Sequence, residues 1–315
     1  MSFLSTAVQT VLEHGSFCAV ATMTPDGPHC TPLVFASSGG RIWLTTSRRS
    51  VKARCWQTDP SIAGLVRHGD LAVTFTGTVK TYDALDRRTW GSAVAGATSI
   101  ARATATFSRK NARFFAGYAF DARQVPLAWT PPGRVFVGVD LERTALLDAE
   151  GVQEGRGRWG GEPASQTTFR RSGTANDPFA VLPASVVDQV GREGDGVLTV
   201  AGERGPVVLP ARWRAEEHAL YAAIPAESLA LADAAPETEA TLTVDSPSIW
   251  RARDMVGAMI QGQADLFVDG DVGSGAKTAR SIAAGLSETA RALVRITPRR
   301  LVWWEGWTSG SARVP

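Results

Sequence analysis

At 315 residues, 44% of them hydrophobic and 20% charged, the chain has the composition of an ordinary globular protein and the length of two domains of about 100–200 residues each. A formal net charge of +2 supplies no global field toward nucleic acid or an anionic membrane, so neither is expected as a partner. Cys18, Cys30 and Cys55 are odd in number and lack C-x-x-C spacing, which argues against a disulfide framework or a structural zinc site. Glu13 and His14 interrupt the N-terminal apolar stretch and no long apolar run follows, so the expectation is a cytoplasmic protein without a leader or a membrane span.

Leu4, Ala7, Val8, Val11 and Leu12 fall on one helical face, and Gly15 ends the pattern. A strand over 17–23 then meets Pro25-Asp26-Gly27, a hairpin signal, and a second strand runs to Phe35. Ser37-Ser38-Gly39-Gly40 turns the chain into Arg41–Thr46. This third strand delivers Thr45, Thr46 and Ser47 into a turn followed by Arg48, Arg49, Ser50 and Lys52, a cluster of hydroxyl, amide and cationic donors suited to a phosphate. A helix over 52–57 stops before Asp59-Pro60, and Ser61–Val66 reads as a strand. Asp70–Tyr82 alternates in hydrophobicity, with a bulge or close backbone approach expected at Gly77. Residues 84–128 read as mostly helical and Arg134–Leu147 as a strand, so short antiparallel strands with few helices suggest a barrel over 1–147.

Patterning is lost over 148–178, which reads as a linker rich in Gly, Arg, Glu and Ser. Its Gly155-Arg156-Gly157-Arg158-Trp159-Gly160 has the letters of a dinucleotide fingerprint, but polar Asp148–Glu154 precede it and Pro163 follows, so the strand and helix that the motif requires are missing. Beyond the linker the opening recurs. Gly27-Pro28-His29-Cys30-Thr31-Pro32 is matched 178 residues later by Gly205-Pro206-Val207-Val208-Leu209-Pro210, and Ala184–Val190 stands where Ala7–Leu12 did. Phe75-Thr76-Gly77-Thr78 matches Ile260-Gln261-Gly262-Gln263, and Val137–Arg143 matches Val294–Arg300. Matches in one order argue for a second copy of the barrel over 179–315.

Strand, Pro-Asp-Gly hairpin, Gly-Pro-x-x-x-Pro, Trp43-Leu44-Thr45-Thr46-Ser47-Arg48-Arg49-Ser50-x-Lys52-Ala53-Arg54 and Asp59-Pro60, with Arg295–Trp304 near the end, resemble the flavin-binding split β-barrel family that includes pyridoxamine 5′-phosphate oxidase. The resemblance implies two mainly β, Greek-key antiparallel split barrels forming an internal pseudo-dimer, with FMN at their interface and a small-molecule substrate. It implies that Thr45, Thr46, Ser47, Arg48, Arg49, Ser50 and Lys52 contact the phosphate and ribityl chain, and that Thr76, Tyr82 and Gln261 lie at the polar edge of the ring. Trp303, Trp304 and Trp307 offer flat surfaces for the ring, with core packing between the barrels as their other reading. A deazaflavin coenzyme, a haem on a histidine such as His68, and a non-catalytic binding or structural module remain as alternatives. Association of pseudo-dimers also stays open.

The second copy departs from the pattern. Leu220–Leu229 stands where the basic stretch would recur, and no Lys or Arg occurs between Arg214 and Arg251, so one occupied site is expected rather than two. Two other constellations are weaker. Gly270–Thr278, between a strand-like 264–268 and a helical 279–293, imitates a phosphate-binding loop, but Ala276 separates the last glycine from Lys277. His14, His29, His68 and His218 lie far apart without metal-ligand spacing.

Overall fold

A computed structural model describes all residues except 1–3, 122, 124, 126–132, 162–164, 166–176, 217, 247, 249–250, 269–280 and 315. The motif over 270–278 therefore lies outside the described residues.

Helix α1 (Thr6–His14) buries the stripe Val8, Val11 and Leu12 against the first barrel, its start capped by the Ser5 hydroxyl, which accepts from the Val8 amide. Strands β1 (Phe17–Thr24), β2 (Gly27–Ser38), β3 (Arg41–Ser47), β4 (Ser61–His68), β5 (Leu71–Tyr82) and β6 (Arg134–Leu147) are ordered β3-β2-β1-β4-β5-β6, and β3 pairs with β6 to close the sheet. The hairpin between β1 and β2 turns at Gly27, whose φ of 96° favours glycine. Helix α2 (Val51–Cys55) follows β3, and α3 (Trp90–Ala95), α4 (Ala97–Lys110) and α5 (Ala112–Phe120) stand between β5 and β6.

The second barrel repeats the topology. After α6 (Ala184–Val190), strands β8 (Glu193–Gly202), β9 (Gly205–Glu216), β10 (Ala219–Ile224), β11 (Glu237–Ser246), β12 (Val256–Val268) and β13 (Ala292–Glu305) are ordered β10-β9-β8-β11-β12-β13, closed by β10 with β13. Helix α7 (Ala226–Ala230) follows β10, and β14 (Thr308–Arg313) adds to β13. The bulge expected at Gly77 occurs between Thr76 and Gly77, opposite Arg143 and Leu141. Its counterpart lies between Gln261 and Gly262, opposite Arg300 and Pro298. The two closed barrels are the tandem split barrels that the repeated motifs imply.

Two expectations are corrected. The 148–178 stretch is not wholly a linker: β7 (Val152–Arg156), exposed from Gln153 onward, pairs antiparallel with β6 and places Gly155 beside Ala145. Apart from Val152, which packs on the core, backbone hydrogen bonds hold it there, so no hydrophobic alternation announces it. The helix over 279–293 also ends early: residues 281–286 are helical, while Leu293 lies in β13, paired with Ala223. Buried Leu293, Val294 and Ile296 favour the pleated strand.

The barrels meet reciprocally, β2 packing on β11 and β12 while its counterpart β9 packs on β4 and β5, the self-complementary arrangement of a two-fold dimer. Ala19, Ala21, Cys30 and Leu65 from the first barrel join Leu198, Val208, Leu242 and Ile260 from the second in one apolar cluster. Within it, Pro28 O accepts from Thr241 Oγ1 (2.5 Å) and Gln261 Nε2 (2.8 Å), and Cys30 O from Thr243 Oγ1 (2.9 Å). Polar groups buried between the barrels are thus bonded across the seam. None of the described helices is long and apolar enough to cross a membrane.

Candidate functional site

The end of β3 and the turn after it are built by local hydroxyl bonding. Ser50 Oγ accepts from the Ala53 amide and from Thr46 Oγ1, both at 3.1 Å, which caps α2 and ties it to β3. The second residue of α2 is Lys52, buried at 3% exposure, and its ammonium donates to Thr31 Oγ1 on β2. No carboxylate forms a salt bridge with it among the described residues. Burial lowers its pKa to about 8, so the ammonium persists at neutral pH inside the protein.

Lys52 opens on a cavity of about 350 Å³ at the junction of the barrels, within the range of small-ligand sites. One wall comes from the first barrel: Thr31 and Leu33 of β2, Thr46, Ser47, Ser50 and Arg134. The other comes from the second barrel: Val302, Trp303 and Trp304 of β13, with Trp307, Thr308 and Ser309 beyond it. Glycines let two indoles lie flat on the sheet, since a Cβ at Gly257 would stand 2.3 Å from Trp304 and one at Gly310 would stand 2.3 Å from Trp303. The Trp304 Nε1–H is buried with no hydrogen-bond acceptor among the described residues. His29 also lines this space, and burial, with Lys52 and Arg300 nearby, lowers its pKa to about 3, leaving a neutral imidazole.

Of the residues singled out in the sequence, Thr46, Ser47, Ser50, Lys52 and Trp304 share this cavity. Thr45 alternates to the outer face, where its hydroxyl donates to Val135 O and accepts from Arg134 Nε. Arg48 turns to Asp83, and Arg49 does not line the cavity. Thr76 accepts from Arg143 Nε of its own barrel at 2.7 Å, and Gln261 donates across the seam to Pro28 O, so neither lies on the cavity wall. Tyr82 stacks on Trp43 and faces a different space. His68 is exposed, with its ring stacked on His14 at 5.2 Å, and no group of His, Cys, Asp and Glu fit for a metal occurs among the described residues.

Sequence reasoning missed Thr31, His29, Arg134 and Met255. Thr31 and His29 sit in the Gly-Pro-x-x-x-Pro segment, a signal that could have found them. Arg134 stands far along the chain, at the start of β6, and reaches the site because β6 closes the barrel on β3.

The related position of the second copy is a cavity of about 310 Å³ lined by Pro210, Ala211 and Pro225 of the second barrel and Leu147 and Asp148 of the first. It carries Asp70, Asp148 and Asp195 beside Arg67 and Arg212. Where Lys52 is the second residue of α2, Glu227 is the second of α7.

Residues 4–125 match the family model of pyridoxamine 5′-phosphate oxidase. No curated protein matches the chain in sequence. Among solved structures, the chain is similar to a pyridoxamine 5′-phosphate oxidase-related, FMN-binding protein from Nostoc punctiforme at 17% identity over 48% of this chain and 86% of that one, with a TM-score of 0.35. It is also similar to a FAD-binding protein from Mesorhizobium loti at 17% identity, covering 45% of this chain and 94% of that one, TM-score 0.33. A conserved hypothetical protein from Mycobacterium tuberculosis is 23% identical over 46% of this chain and 86% of its own, TM-score 0.33. The family model thus spans α1, β1–β5 and the helices after them, and the chain is similar to the pyridoxamine 5′-phosphate oxidase family over that part, which β6, beyond the match, closes into a barrel by pairing with β3.

Proposed function

We propose that the chain is an FMN-dependent oxidoreductase acting on a small molecule, with one flavin held between its two barrels. The observation that carries this reading is Lys52, a buried ammonium without a carboxylate partner among the described residues, opening on the same cavity as three tryptophans. A buried cation left without an anion is costly, and a phosphate brings the missing charge. Ser47, Ser50 and Thr31 surround it with short hydroxyl donors suited to the same group, and Thr46 holds Ser50 in place by donating to its Oγ. Trp303, Trp304 and Trp307 present apolar faces to a planar ring, and the Trp304 Nε1–H lacks an acceptor among the described residues, one that a polar ring substituent would supply.

Bound there, the flavin supplies hydride and electron transfer. The protein's own part is to hold the phosphate at Lys52, to sandwich the ring against the second barrel and to keep water from it. His29, neutral and half-buried, accepts or donates a hydrogen bond without adding charge. At the related position of the second barrel Glu227 stands in α7 where Lys52 stands in α2, and Asp195 already pairs with Arg212 in a cavity that also holds Asp70 and Asp148, which supports a stoichiometry of one.

Titration of the purified chain with FMN tests the proposal, followed by flavin fluorescence and the visible spectrum. Saturation at one FMN per chain, weakened in Lys52→Met, is the expected result. Failure of FMN to bind the intact chain overturns it.

A further inference from the structure

A second cavity of about 800 Å³ lies between the outer face of the first barrel and the helices α3–α5. The helical layer is fixed at its two ends. Asn111, at the α4–α5 junction, donates from Nδ2 to Phe35 O on β2 at 3.1 Å. At the other end Asp83 is bonded by Arg48, and its backbone exchanges hydrogen bonds with Thr89 Oγ1. Between these anchors the layer stands off the sheet and leaves the space open. Its walls are ring faces and edges: Tyr82, Phe107, Phe114, Phe115 and Phe136. The Asp83 carboxylate at its rim is neutralised by Arg48, so the lining offers no unpaired anion for a cationic ligand.

This space abuts the cofactor cavity through two contacts. Arg134 lines both. Tyr118 of the larger cavity meets Trp307 of the smaller edge-on, with ring centroids 5.4 Å apart.

The geometry points to a binding chamber for a neutral, apolar aromatic molecule of about two or three rings, held between α3–α5 and the barrel beside the cofactor cavity. Its binding stands on the cavity alone; its role as the flavin's reaction partner rests on the function proposed above. Aromatic surfaces recognise such a molecule by offset and edge-on ring contacts, while Thr45, Tyr118 and Arg134 give it a polar end to orient against.

The test uses N-phenylnaphthylamine, a neutral probe that brightens on leaving water, with the intact chain. Expected is saturable binding at one probe per chain. Ala93→Trp on α3 and Thr104→Trp on α4, which fill the chamber from two helices, each weaken it by about tenfold or more without changing FMN affinity. Lys52→Met weakens FMN and leaves the probe in place. In the FMN-loaded protein, quenching of the bound probe by energy transfer to the flavin is the expected sign of adjacency. Probe affinity unchanged in both filled variants overturns the inference, as does probe binding that tracks self-association in sedimentation, which would make this face a contact between copies. Probe binding without FMN binding defeats only the proposed function; FMN binding without probe binding defeats only the chamber.

Discussion

Arg48 grips Asp83 with two parallel hydrogen bonds, Nε to Oδ2 and Nη2 to Oδ1, each 2.6 Å long. The fork is the strong form of an arginine–carboxylate pair, and it holds the Asp83 carboxyl below the ordinary carboxylate range. A guanidinium committed in this way is turned toward the foot of the α3–α5 layer, away from the cavity that Lys52 enters. Arg48→Ala is therefore expected to alter the FMN dissociation constant by less than about threefold, while Lys52→Met raises it by about ten- to a hundredfold, the loss of one charge-assisted hydrogen bond. Parallel fluorescence titrations decide it: an equal loss in both variants would return Arg48 to the phosphate.

The protonation of Lys52 sets a pH limit on the same site. Its pKa of about 8 lies below the ordinary lysine value, so in the free protein the ammonium is present at pH 7 and titrates away above pH 8. A phosphate binds the charged form, so FMN affinity is expected to hold level up to about pH 8 and then fall by up to about tenfold per pH unit. Stability of the free protein moves oppositely. Between about pH 8 and 10.5 the unfolded chain binds the proton that folded Lys52 has lost, so this residue's contribution favours folding as pH rises. Titrations across this range, on wild type and Lys52→Met, check both signs; a flat affinity profile through pH 9 excludes Lys52 as the phosphate's cation.

Which parts of this molecule could be read in the sequence follows from how local their causes are. The Asp26-Gly27 hairpin, the alternation in β5 and the Gly77 bulge depend on neighbouring residues, and the order of repeated motifs exposed the second barrel. The cavity is assembled from residues distant in the chain, and there local reading stopped short. Lys52, Ser47 and Ser50 are legible because one turn collects them. The partner of Arg48 lies in the turn after β5, and the arginine that does reach the cavity, Arg134, follows the helical excursion. Neither pairing leaves a mark in spacing or composition. Gln261 and Thr76 sit at matching bulges, but their side chains are engaged elsewhere, Gln261 by Pro28 across the seam and Thr76 by Arg143 of its own barrel.

The matched bulges make the two barrels comparable in energy terms. A Cβ at Gly77 would stand 2.2 Å from Asp140 O, and one at Gly262 would stand 2.0 Å from Thr297 O, in both cases backbone that cannot swing aside. Gly77→Ala and Gly262→Ala are each expected to cost about 1–3 kcal/mol of stability by overpacking. Gly285, in a helical turn with nothing within 4 Å of its notional Cβ, is the control. Gly285→Ala should be neutral or stabilising by up to about 1 kcal/mol. Chemical denaturation curves provide the comparison, and tolerance of alanine at both bulges would show that close approach is not what requires glycine there.

Pro28 O takes two hydrogen bonds across the seam, from Thr241 Oγ1 and Gln261 Nε2 of the other barrel. All three groups are buried, so each donor's removal has a different consequence. Thr241→Val keeps the shape and leaves the carbonyl its bond from Gln261, for an expected loss of about 1 kcal/mol. Gln261→Leu likewise leaves the Thr241 bond. It also removes Gln261 Oε1, which is buried without a partner among the described residues, so part of the lost bond is offset. The double variant strands the carbonyl between two apolar surfaces and is expected to cost about 1–3 kcal/mol beyond the sum of the single changes. A double-mutant cycle by urea denaturation measures that excess. Strict additivity would mean that water reaches Pro28 O once the donors are gone, and that the seam at this point is not dry.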